Sequence, residues 1–163
     1  MSMKSRFVLF VVLVAALVLT GCAGGFGGNE VTAVTAASVS ATLQYVDGGK
    51  QGPAYNMTVT VPDDWVGVFD VQNTGNTLMF HYTKDVAEPA LVFSIEALSP
   101  TQYWKASGSY PASQTNLVNA GDTYFVYHLP IDTFYSGLSA EQLATLSAAV
   151  PGIVASFAAE AAQ

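Results

Sequence analysis

The sequence predicts an α+β domain in which helices pack on a mainly antiparallel β-sheet. Between Thr42 and Leu129, short runs rich in β-branched and aromatic residues alternate with clusters of turn residues. The links between successive runs are too short for parallel crossovers, so neighbouring strands pair antiparallel. After Ser99 and again after Ser139 the pattern switches to helix, each time behind a capping signal.

The strand runs follow in order. Thr42 to Val46 stops at Asp47-Gly48-Gly49. Tyr55 to Val61 alternates strictly, with Tyr55, Met57, Val59 and Val61 on one face. Pro62-Asp63-Asp64 breaks the chain, and Trp65 leads a run to Gln72. Asn73-Thr74-Gly75-Asn76 is a hairpin turn, after which Leu78, Phe80 and Tyr82 share a face. Leu91 to Leu98 places Leu91, Phe93 and Ile95 together, and Asp122 to Leu129 does the same for Thr123, Phe125, Tyr127 and Leu129.

Two helices have explicit starts. Ser99-Pro100-Thr101-Gln102 supplies a capping serine, a proline at the first helical position and a glutamine three residues after the cap; Gly108 ends that helix. Ser139-Ala140-Glu141-Gln142 repeats the device, with Leu138 and Leu143 placed as a hydrophobic staple. Leu143, Leu146, Val150, Ile153, Val154 and Phe157 then make one apolar face that needs the sheet to cover it. Pro151 interrupts this helix and predicts a kink or a break between Ala149 and Gly152.

Composition narrows the function classes. The 163 residues are room for one ordinary domain; 51% are hydrophobic and only 10% charged, which excludes a disordered chain or a coiled coil. Lys4 and Arg6 precede the unbroken apolar run Phe7 to Leu19, which is too short for a membrane-spanning helix and has the form of a secretory signal. Once that signal is removed, Lys50, Lys84 and Lys105 stand against twelve acids. Isolated lysines on so acidic a chain cannot neutralise a run of phosphates, so nucleic acid is not a partner.

The signal ends in Leu19-Thr20-Gly21-Cys22, which resembles the lipobox of bacterial lipoproteins. The resemblance implies cleavage after Gly21 and acylation of Cys22, which would anchor the protein to the outer face of an envelope membrane. Cys22 is the only cysteine, so its acylation removes disulfides, thiol catalysis and cysteine-based zinc sites together. The organisation expected is a signal over 1–21, the lipidated cysteine with a flexible Gly-, Ala- and Ser-rich linker over 22–40, and one α+β domain over 41–163. As a coil, that linker reaches roughly 25 Å.

From Val61-Pro62-Asp63-Asp64-Trp65 to Ile153-Val154-Ala155-Ser156-Phe157 the chain also resembles the PsbP-like and LpqN-like group of extracytoplasmic proteins. The aromatic strand leading into Leu129-Pro130-Ile131-Asp132 belongs to the same likeness. The resemblance implies an antiparallel sheet sandwiched by helices and an adapter or binding role. It brings no catalytic residue and no cofactor.

Phosphate loops, nucleophile elbows and metalloprotease helices are missing from the sequence. Asp63 and Asp64 are adjacent in a turn and read as a solvated pair rather than as acid and base. Strand parity sets His81 with Met79, Glu96 with Ser94, and His128 with Tyr124 and Val126. If those strands neighbour one another, His81, Glu96 and His128 share a face and supply the donors of a metal site or an envelope enzyme; otherwise they are surface strand residues. Tyr103, Trp104 and Tyr110 cluster around the first helix, either as recognition anchors for a protein or small ligand or as caps on the core. Trp65, behind its strand-breaking proline, belongs to the core. The leading expectation is a lipid-anchored, non-catalytic binding domain.

Overall fold

The computed structural model describes residues 29–109, 114–131 and 136–163. Its strands are β1 (Glu30–Ala33), β2 (Ser38–Asp47), β3 (Lys50–Thr60), β4 (Phe69–Asn73), β5 (Thr77–Tyr82), β6 (Ala90–Leu98), β7 (Thr115–Ala120), β8 (Thr123–His128) and β9 (Ala158–Ala161). The helices are α1 (Pro100–Ser109) and α2 (Ala140–Ala155), and Asp63–Trp65 forms a single 3-10 turn. A six-stranded sheet in the order β1-β4-β5-β6-β8-β7 and a three-stranded sheet β2-β3-β9 are antiparallel throughout. The α+β class and the antiparallel pairing are as the sequence predicts.

Alternation dictates what is buried. Tyr55, Met57, Val59 and Val61 from β3 and the residue after it meet Leu78 and Phe80 of β5, Phe93 and Ile95 of β6, and Phe125 of β8 in one core. Phe80 stacks on Phe93 at 4.2 Å, and Trp65, only 3% exposed, stacks on Phe69 at 3.9 Å. The break at Pro62 thus turns the indole inward. Val150 and Ile153 of α2 complete the core, so helix and second sheet both pack on the inner face of the six-stranded sheet.

Several expectations are corrected. Among the described residues, Glu30–Ala33 already forms a strand inside the stretch whose composition suggests a linker, pairing with β4 from Glu30 opposite Asn73 to Ala33 opposite Asp70. Glu30, Val31, Thr32 and Ala33 form a strand there because the free edge of β4 satisfies their backbone groups. On β6, Phe93 lies opposite Phe80 but Leu91 opposite His81. The extra residue, Val92, is a bulge that buries Val92 beside Phe93 and moves Leu91 to the other face. Leu129 follows β8 and is exposed rather than joining Phe125.

Nor does Pro151 break its helix, which runs unbroken from Ala140 to Ala155. Pro151 is exposed, while Val150 and Ile153 on either side of it are buried. Their burial holds both halves against the core despite the missing backbone donor. Beyond the helix, Phe157 packs on Phe125 at 5.2 Å, and the Ala-rich end turns into β9 along β3. The Thr60 backbone N–H donates to Ser156 Oγ at 2.8 Å and pins that turn.

Candidate functional site

The candidate site is built where β6 hands over to α1. Ser99 Oγ accepts from the Gln102 backbone N–H at 3.0 Å, while Gln102 Oε1 accepts from the Ser99 N–H at 2.9 Å. Two orphan helix-end donors are thereby satisfied, and the direction of α1 is fixed. Ser99 Oγ donates to Asp47, and Gln102 Nε2 donates to the Val46 carbonyl at 2.9 Å, so the β2–β3 turn is tied to the helix start.

With α1 so aimed, Tyr103 stacks on Tyr124 of β8, with ring centroids 4.3 Å apart and planes 17° from parallel. Trp104 stands at a steep angle to both, 5.1 Å from Tyr103 and 6.4 Å from Tyr124. These three separations form a triangle nearly square at Tyr103, so the indole sits beside the stack and not on top of it. Trp104 is 64% exposed, the opposite of Trp65. Tyr103 is half-buried beside it. Of the two readings of the cluster, a cap on the core fails for Trp104, and an exposed aromatic corner takes its place. Tyr110 lies outside the described residues, as do Cys22 and the signal segment.

Tyr124 was not singled out by the sequence as part of this cluster. The available signal is its parity: it points away from Phe125, onto the face where a helix starting directly after β6 passes over β8. Its cross-strand neighbours are Leu98 on β6 and Asn119 on β7. Aromatic faces flanked by an amide and a hydroxyl bind by apolar contact with a few directional hydrogen bonds.

The same outer face carries the histidines. Glu96 Oε2 meets His128 Nε2 at 3.1 Å, and Glu96 Oε1 accepts from Asn76 Nδ2 at 3.3 Å. His81 does not join them. Thr77, not His81, lies opposite Glu96, and the partner of His81 across β4 is Asp70. Among the described residues no group of three or more His, Cys, Asp or Glu side chains is placed to hold a metal ion. The three-residue metal constellation of His81, Glu96 and His128 is therefore corrected to two separate pairs. Burial holds the His81 imidazole below its ordinary pKa, against the opposing pull of the Asp70 carboxylate.

A shallow cleft of about 280 Å³ opens between the end of β5 and the first turns of α2, lined by Tyr82, Glu141, Gln142, Thr145 and Leu146. The later residues of α2, Val150 and Ile153, are fully buried, while Leu143 and Leu146 near the cleft are only partly buried against the core. No family model, curated protein or solved structure matches this chain.

Proposed function

We propose that the protein is a lipid-anchored domain on the outer face of a bacterial envelope membrane that acts by binding and not by catalysis. Acyl chains on Cys22 hold it there, and the aromatic corner of Tyr103, Trp104 and Tyr124 is its recognition surface for a protein partner or a small ligand. The observation that carries this reading is the 64% exposure of Trp104, on a helix whose capping box and contact with Tyr124 keep it in place. A large aromatic held rigidly in water loses little entropy on binding and buries much area.

We further read the domain as PsbP-like. Support comes from α1 leaning on the outer face through Tyr124 while α2 buries Val150 and Ile153 against the inner one. That likeness brings adapter and binding roles and no catalytic group.

The test is Cys22→Ser in the producing bacterium. The native protein is expected to gain the mass of its acyl chains and to partition into detergent, whereas the variant stays an unprocessed precursor or becomes soluble. Equal masses and equal partitioning contradict the anchor.

A further inference from the structure

The register of the six-stranded sheet places the entry of the chain and the aromatic corner at the same end. Glu30 lies opposite Asn73, the last residue of β4; Thr77, the first of β5, lies opposite Glu96; and two residues further along β6, Leu98 lies opposite Tyr124. The β2–β3 turn reaches this end as well, because Asp47 and the Val46 carbonyl bond to Ser99 and Gln102. At this same end Val46 is 47% exposed.

Charge divides the molecule along the same axis. Lys50 pairs across the β2–β3 turn with Asp47, and Lys105 follows Trp104, so two of the three lysines beyond the signal lie at the Trp104 end. The opposite end carries Asp63 and Asp64 in the 3-10 turn, Asp85 and Glu88 between β5 and β6, and Glu141 at the cleft beside Tyr82. Lys84 is the one cation placed among them. The Trp104 end also carries Glu30, Asp47 and Asp122 against its two lysines, so it is the less acidic end, and an anionic surface repels the opposite end more strongly.

We propose that the surface bound by Trp104, with Lys105 next to it in the chain and Val46 at the same end, is the headgroup interface of the membrane that holds the Cys22 acyl chains, so that the domain sits on the bilayer by this end. The inference rests on the lipid anchor proposed above. Residues 23–29 between Cys22 and Glu30 span at most about 27 Å when fully extended, so the anchored chain delivers this end to the lipid first. Tryptophan and tyrosine favour the headgroup region, where an apolar ring and a polar N–H or O–H are both accommodated. Tethering raises the local concentration enough for one indole and two lysines to define an orientation without binding strongly by themselves.

The experiment uses the full-length membrane-extracted protein in phosphatidylcholine–phosphatidylglycerol vesicles, with and without brominated acyl chains, and reads tryptophan emission. Bromolipid is expected to remove the share of emission from Trp104, roughly half of the total since it is one of two tryptophans. Emission of Trp104→Phe, which keeps only the buried Trp65, is expected to stay unchanged. The intact mass of the same sample reports acylation. Acylated protein with unquenched Trp104 overturns the proposal and leaves the anchor standing, including the case in which a soluble protein or ligand covers the indole. Quenching without acylation keeps the lipid contact and removes the anchor. Neither acylation nor quenching overturns both.

Discussion

The two faces of the six-stranded sheet come from the same strands, yet they are different materials. On β5, Leu78 and Phe80 point into a dry core, while Thr77, Met79 and His81 point outward and are partly solvated. On β8, Phe125 is fully buried, and its neighbour Tyr124 stacks under Tyr103 at the surface. The inner face is covered by a second sheet and α2; the outer face is met among the described residues by α1 at one end. Complete cover forces apolar side chains and close packing, whereas partial cover permits half-buried polar groups such as His81 opposite Asp70 and Glu96 in contact with His128.

If that contrast is right, truncation on the inner face is the most damaging change. Phe93 is fully buried and stacked on Phe80, so Phe93→Ala is expected to destabilise the domain by about 3–5 kcal/mol. Chemical denaturation checks this, and a loss under about 1 kcal/mol means that the ring is not in a packed core. Phe157 contributes to the same core from its rim, half-buried against Phe125. Phe157→Ala is expected to cost about 2 kcal/mol, less than Phe93→Ala because the site stays open to solvent. A denaturation midpoint equal to that of an exposed control, Gln142→Ala, contradicts the docking of the chain end.

The outer face responds to pH instead. Because burial lowers the His81 pKa below 6.5, the unfolded chain binds the proton more tightly than the folded one. Stability from this group is present above about pH 6.5 and is lost as pH falls through the lowered folded value. Denaturation curves across that window are expected to show native protein weakening as pH falls, with a flatter profile in His81→Gln. Identical profiles contradict a neutral, half-buried His81.

Much of this contrast is legible in the sequence. Strict alternation from Tyr55 to Val61 identified a buried row, and both capping boxes, at Ser99 and Ser139, form as their residue types require. What was not legible depends on distant partners. Glu30–Ala33 and Ala158–Ala161 carry no strand periodicity and become strands because β4 and β3 offer free edges. The bulge at Val92 reversed the side of Leu91, a single-residue slip that alternation alone does not register. The aromatic corner was half legible: Tyr103 and Trp104 cluster in sequence, but Tyr124 reaches them only through the passage of α1 over β8. His81 failed to join Glu96 and His128 because sharing a face does not mean sharing a row.

The smallest expected effect is also the most direct test. If Trp104 is held out in water for binding, its truncation removes no core contact. Trp104→Ala should then melt within about 0.5 kcal/mol of the native protein, a shift of roughly 2 °C or less for a domain of this size. A fall in melting temperature comparable with that of Phe93→Ala would place the indole in the core and contradict the proposal that this corner is the recognition surface.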